Sequence, residues 1–208
     1  IQFTRGCPFN CEFCDIIELY GRKPRSKTPE QMVKELQALY DLNYRGHIDI
    51  VDDNFIGNKR KLKEDTLPAL IEWSKEKKYP FFFITEVSIN LADDDELMRL
   101  MVEAGFNSIF VGIETPNNES LIECGKMQNL KRDLVESVNR IQRSGMLVSG
   151  GFIIGFDNDT EKVFDEQIDF IQRSGITSAM VGLLNAPTGT KLYNRLKEEG
   201  RLLEMWSG

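Results

Sequence analysis

Residues 5–15 read RGCPFNCEFCD and hold Cys7, Cys11 and Cys14 in the spacing C-x3-C-x2-C. Three of the chain's 4 cysteines are in this one stretch, a clustering that reads as metal ligation rather than a disulfide framework. Thiolates suit iron–sulfur clusters and zinc alike. A closed zinc site takes four protein ligands. Three thiolates can instead hold three irons of a four-iron cluster and leave one iron open, and an open coordination position marks a catalytic site. The competing reading is a zinc site completed by Cys124 or His47. Cys124 lies in SLIECGKM, at a spacing unrelated to the triad, and reads as a small buried side chain. His47 is the only histidine and opens a β-rich run at the end remote from the cysteines, so it reads as a core or surface group.

The elements that must position these residues alternate. β-rich runs cover Ile1–Thr4, His47–Val51, Phe81–Val87, Ser108–Ile113, Leu147–Ile154 and Ala179–Leu184, nearly continuous in Ile, Val and Phe as in parallel strands covered by helices. Helical stretches lie among them at 28–43, Leu62–Lys77, 93–105, Leu130–Ser144, Thr160–Ser174 and Lys191–Glu199. The first opens with a capping box, Thr28 as N-cap, Pro29 at the first helical position and Gln31 at the third. The string IQRSG closes two helices, at 141–145 and 171–175, as in a repeated βα unit. Six βα units in 208 residues fall short of the roughly 250 of a full eight-unit barrel. The fold expected is α/β, a partial (βα)6 TIM-type barrel of parallel strands open on one side. Alternation alone also allows a doubly wound sheet.

In parallel α/β folds the site lies at the C-terminal strand ends. There the sequence places the cysteines after the first run, Asp52 and Asp53 after the second, Glu86 and Ser88 at the third and Glu114 at the fourth. Gly150, Gly151 and Gly155 flank the fifth run, either for close approach of a ligand to the backbone or for helix–strand packing and a bend. Asp157 and Asp159 read as initiators of the next helix, and the aromatics of YPFFFIT as strand and core.

The formal net charge is −7 and no long basic run occurs, which argues against general nucleic-acid binding. No apolar run approaches the roughly 20 residues of a membrane span, and no signal peptide precedes the cysteines. A soluble, cytoplasmic protein is expected. The chain begins at Ile1, with six residues before the first cysteine, so 1–208 is expected to be one domain cut from a longer protein, with a region missing on the N-terminal side and a further region missing C-terminally.

The cysteine spacing at the end of the first run, with Phe13 just before Cys14, resembles the radical S-adenosylmethionine (SAM) superfamily. DDNF, GIETP, GGFIIGFD and APTGTKLY resemble its cobalamin-dependent branch, particularly the hopanoid-methyltransferase-like subgroup. The resemblance implies that Cys7, Cys11 and Cys14 ligate a 4Fe-4S cluster whose fourth iron is chelated by SAM. It implies reductive cleavage of SAM to a 5'-deoxyadenosyl radical, with electrons from a reductant such as flavodoxin or ferredoxin. It further implies a cobalamin-binding domain outside this chain, a parent enzyme that methylates carbon, and a small-molecule, lipid-like substrate. By the same resemblance the backbone at Phe13 meets the adenine, Glu114 bonds the ribose hydroxyls or the amino group, Gly151 and Gly155 approach the adenosine, and Lys126 neutralises the SAM carboxylate. Where the superfamily usually carries a Gly-Gly-Glu segment for the SAM amino group, this sequence has Asp52-Asp53-Asn54, and either aspartate can pair with an ammonium. The rival readings are a cobalamin-independent relative such as a methylthiotransferase, which needs further cluster cysteines outside this chain, and a non-catalytic metal or electron-transfer module, which needs a fourth protein ligand.

Overall fold

The computed structural model describes residues 1–202; the remaining residues of the expected 1–208 domain, 203–208, lie outside the described residues. The chain opens on a short strand, β1 (Thr4–Arg5), paired antiparallel with β2 (Arg25–Ser26). Between them run the cysteine loop and a short helix, α1 (Ile16–Tyr20). Then β3 (Gly46–Ile50), β4 (Phe81–Val87), β5 (Phe106–Glu114), β6 (Leu147–Ile154) and β7 (Ser178–Leu183) form one five-stranded parallel sheet in sequence order. A doubly wound sheet reverses its strand order at a switch point. The order here runs straight through, as in a barrel wall, and the sheet is an open half-barrel.

The expected sixth strand, Ile1–Thr4, does not join that sheet, so the (βα)6 count is corrected to five paired strands with a flanking segment. The segment starts beside β3: the Ile1 ammonium donates to Asp49 O (2.8 Å) and Val51 N donates to Ile1 O (2.8 Å). The Asp52 carboxylate then accepts from the amides of Phe3 (2.7 Å) and Thr4 (2.8 Å). A side chain thus takes the place of the backbone partner, and the ladder ends there.

Helices cover the sheet. α2 (Pro29–Asp41) begins with the expected capping box: Gln31 N donates to Thr28 Oγ1 (3.3 Å) and Thr28 N to Gln31 Oε1 (2.9 Å). The helix expected over Leu62–Lys77 is broken. A short α3 (Lys59–Lys61) passes through a π turn (Leu62–Thr66) into α4 (Leu67–Glu76). Pro68 explains the break, because it has no N–H to donate and its ring pushes away the carbonyl one turn back. α5 (Asp95–Ala104) is capped by Asp94, which accepts from Leu97 N (3.0 Å), and stops at left-handed Gly105. α6 (Asn118–Glu123), α7 (Leu134–Arg143), α8 (Lys162–Ser174) and α9 (Lys191–Glu198) follow. The two IQRSG copies are equivalent in structure. Each serine hydroxyl donates to the carbonyl three residues back, and Gly145 and Gly175 both take positive φ at helix ends.

The core lies between helices and sheet. Phe81 and Phe83 are buried while Phe82 is exposed, so the FFF run alternates like any strand with one covered face. The Phe106 ring packs 5.0 Å from Phe55 and 5.2 Å from Phe83. Burial of each such ring stabilises by about 1.5–3 kcal/mol. The opposite end of the sheet is bare: every residue of β7 is exposed, which is the open side of the half-barrel.

Candidate active site

The C-terminal ends of the strands surround a cavity of about 510 Å³. Cys7, Cys11 and Cys14 form one wall. Asp53 and Asn54 enter after β3, Glu86 and Ser88 around the end of β4, Glu114 at the end of β5, and Lys126 and Gln128 after α6. Phe13 and Gly151 also face it. The cavity is of small-molecule size, and it collects nearly all the residues that the sequence placed on one rim.

The cysteine loop is held by its flanks, leaving the thiols free. Gly6 has φ +95°, and a Cβ there would stand 2.8 Å from Gly21 O, so the loop entry is open only to glycine. Cys7 N donates to Gly21 O (3.3 Å) and Cys14 N to Cys11 O (3.2 Å). In mid-loop, Glu12 N donates to Cys124 O (2.8 Å), and Glu12 O accepts from Leu192 N (3.0 Å) in α9. The Glu12 carboxylate receives Arg195 Nε (2.7 Å) and Nη2 (3.1 Å). Burial pushes the Cys14 thiol up to about 11 and raises Cys7 as well. Their surroundings do not activate either as a nucleophilic thiolate.

The paired aspartates part company. Asp52 is turned inward to Phe3 N, Thr4 N and Thr4 Oγ1 (2.7 Å) and does not line the cavity, so the structure does not bring it to the site. Asp53 does line it, and its Oδ2 is buried without a partner. Burial raises the pKa of Asp53 and of Glu86. A buried acceptor without a donor is costly, and the orphaned Asp53 oxygen, with the Glu86 carboxylate on the same cavity, suits a cationic ligand group. Gln128 adds a second buried, unpartnered oxygen, Oε1.

Glu114 sits at a backbone irregularity. The β5–β6 register shifts between Gly112 and Glu114, and Glu114 takes φ +65°, left-handed for a residue with a side chain. Its carboxylate receives Lys126 Nζ at 2.5 Å, and both side chains are nearly buried, 9% and 12% exposed. Burial works to lower the Lys126 pKa, but the adjacent Glu114 outweighs it and the ammonium is held above its usual range. Gly112 makes the pairing possible: a Cβ there would lie 2.7 Å from Lys126 Nζ and against Glu114 Oε1.

The remaining expectations divide. Ser88 is buried at the rim, where its Oγ donates to Asn90 Oδ1 (2.7 Å). The Gly151 Cα faces the cavity under the Phe110 ring, whereas Gly155 lies outside it, at φ +112° with its amide donating to Asp159 Oδ2 (2.8 Å). Cys124 is buried at the end of α6, its Sγ 3.6 Å from Leu121 O, outside the cavity lining. His47 is exposed on β3 beside Phe82, 5.7 Å between ring centres. Asn54 and Gln128 were not expected as site residues. Asn54 reads as turn chemistry after two aspartates, and Gln128 carries no signal in a loop.

These residues fit an iron–sulfur cluster with an amino-acid-bearing nucleoside ligand. The donor set is three free thiols, and the orphaned oxygens of Asp53 and Gln128 are acceptors awaiting a donor. Among the described residues no group of three or more His, Cys, Asp or Glu side chains is placed to hold a single metal ion. A cluster differs, since each thiolate binds its own iron.

The comparisons with known proteins agree with one another. A family profile described as the radical SAM superfamily matches residues 1–171. An uncharacterised methyltransferase of Synechocystis is 50% identical over 208 residues, covering 100% of this chain and 39% of the relative. The hopanoid C-2 methylase of Rhodopseudomonas palustris is 44% identical over 203 residues, covering 98% of this chain and 38% of the relative. Among solved structures, the radical SAM methyltransferase TsrM of Kitasatospora setae, with cobalamin and a [4Fe-4S] cluster bound, superposes with a TM-score of 0.84 at 16% identity, over 100% of this chain and 41% of that one. The chain thus spans about two fifths of the length of these curated relatives.

Proposed function

The chain belongs to the radical SAM superfamily, and from that premise we propose that its cavity binds SAM against a four-iron cluster held by Cys7, Cys11 and Cys14, as the core of a parent enzyme that methylates carbon with the help of cobalamin. The observation that carries this reading is the meeting, in one cavity, of three free thiols with orphaned acceptors and a buried Glu–Lys pair.

Held by Cys7, Cys11 and Cys14, a reduced cluster would supply the electron for reductive cleavage of the SAM sulfonium bond to methionine and a 5'-deoxyadenosyl radical. The chain's own residues bind and orient. Asp53 and Glu86 accept from the SAM ammonium, which gives the orphaned Asp53 Oδ2 its donor and favours the ionised form of both carboxylates. Lys126 offers its ammonium to the SAM carboxylate, and Glu114 accepts from the ribose hydroxyls or the amino group. The backbone at Phe13 borders the adenine, and Gly151 brings bare backbone to the cavity wall while admitting the Phe110 ring against it. Ser88 closes the rim behind Glu86. Among the described residues no helix is long and apolar enough to cross a membrane. The open face along β7 admits a large, lipid-like substrate from the side, a class supported by the likeness to the hopanoid methylase. A flavodoxin- or ferredoxin-type reductant delivers the electron.

The test is anaerobic. The protein is reconstituted with iron and sulfide, reduced with dithionite and given SAM, and 5'-deoxyadenosine is measured. Nucleoside that disappears when Cys7, Cys11 and Cys14 are replaced by Ala is the expected result. A stable cluster that yields no nucleoside, in this chain and in its full-length parent, sinks the reading in favour of an electron-transfer module.

A further inference from the structure

Asn54 is buried between the end of β3 and the cysteine loop, 3% exposed. Its Oδ1 accepts from the Ser88 backbone N–H (3.2 Å), with Ser88 Oγ, whose proton goes to Asn90 Oδ1, 3.3 Å away. Its Nδ2 stands 3.9 Å from Cys7 Sγ. Side-chain amides are usually ambiguous between oxygen and nitrogen, but a backbone N–H can only donate. The Ser88 amide therefore fixes the oxygen on its own side and turns the NH2 group toward the sulfur. Gln128 is placed differently: its Nε2 reaches Cys11 Sγ at 4.0 Å, but its oxygen has no partner, so nothing fixes which end faces the thiol.

Resting on the cluster reading above, we propose that Asn54 is a positioning and redox-tuning residue, donating an N–H···S hydrogen bond to the Cys7 thiolate. A donor on a ligating sulfur stabilises the reduced, more negative state more than the oxidised one and raises the reduction potential. The Ser88 anchor couples this bond to the end of β4, which also carries Glu86.

The full chain is reconstituted anaerobically and its cluster titrated against potential by EPR, in the native protein, Asn54→Asp and Asn54→Leu. Asp keeps the acceptor for Ser88 and loses the donor; Leu removes the donor without adding charge. Both variants are expected to retain cluster iron and to become harder to reduce, the Leu variant by about tenfold in the reduction equilibrium, or ~59 mV for one electron. In the native protein carrying asparagine labelled with 15N at the side-chain amide, an exchangeable proton coupled both to the reduced cluster and to that nitrogen is expected by ENDOR, which separates it from the Phe9 backbone amide on the same sulfur, and this holds even if a variant fails to fold. An unchanged potential in an intact Leu variant, or the absence of that proton, overturns the inference and leaves the cluster reading standing. Failure of the native protein to form any cluster overturns both.

Discussion

At the scale of single residues, the cavity depends on side chains that are missing as much as on those present. Gly112 is the sharpest case, because the Glu114–Lys126 pair occupies the space its Cβ would fill. Lys126 can swing its tip, but Glu114 is anchored at a positive φ beside a register shift and has little freedom. Gly112→Ala is therefore expected to fold, with a thermal midpoint close to the parent, and to bind SAM about tenfold more weakly, since ~1.4 kcal/mol is a modest cost for displacing a buried charge pair. Calorimetry with SAM on the reconstituted protein checks it, and native affinity would show that the pair does not touch the ligand. Legibility divides at this scale. The thiols, Glu86 and Glu114 stood out because their types carry chemistry wherever a strand ends, whereas Lys126, in the loop after α6, was named only through the family resemblance. Asp52 and Asp53 were indistinguishable in sequence: adjacent carboxylates point opposite ways, and only the position of Phe3 and Thr4 reveals which one is spent on the fold. Asn54 was invisible as a site residue because its role rests on a backbone amide of residue 88, far away in sequence.

At the scale of elements, apolar runs and caps were easily read, and the misreadings share one cause. Ile1–Thr4 has strand composition, yet whether it pairs depends on a side chain 48–49 residues away. The expected helix over Leu62–Lys77 has helical composition, but Pro68 forces a π turn upstream. Asp157, read in sequence as a helix initiator, is instead an anchor between elements. Its carboxylate accepts from Arg201 Nη1 (2.9 Å) and Arg195 Nη1 (2.8 Å), while its amide donates to Glu123 Oε1 (2.9 Å) at the end of α6. Hydrogen bonds from Arg201 and Arg195 hold Asp157 well below the usual carboxylate range. A carboxyl depressed on folding adds stability that is present above its unfolded pKa, near 4, and is lost as pH falls through the lower folded value. Asp157→Asn removes that contribution. Thermal midpoints of native protein and variant are expected to differ most at pH 6–7 and to converge as pH drops below about 4. A gap that stays constant with pH would mean that the anchor is not electrostatic.

At the scale of the whole molecule, the two ends of the chain meet at the cysteine loop. Arg195 in α9 grips Glu12, 183 residues earlier and inside the C-x3-C-x2-C stretch, and Lys191 Nζ donates to Asn10 Oδ1 (2.7 Å). Among the described residues the sheet ends at β7, and α9 crosses back to brace this corner. Contacts so distant in sequence form late, because loop-closure entropy must be overcome first. The contacts of the loop with α9 therefore carry a large closure entropy, and its local stability rests on a few polar contacts. Arg195→Met keeps the alkyl stem and removes the fork. Hydrogen bonds to charged groups contribute about 1.5–3 kcal/mol each when shielded, and solvent at a guanidinium 29% exposed reduces that. Amide exchange at Glu12, bonded to Cys124 O, is therefore expected to rise by about tenfold while amides of β5 and β6 stay protected, the pattern of local rather than global opening. The same exchange at Glu12 in variant and native protein would show that the backbone bonds to Cys124 and Leu192 hold the loop unaided. Uniformly faster exchange throughout the sheet would instead make Arg195 a determinant of the fold itself, not of the loop that presents the thiols.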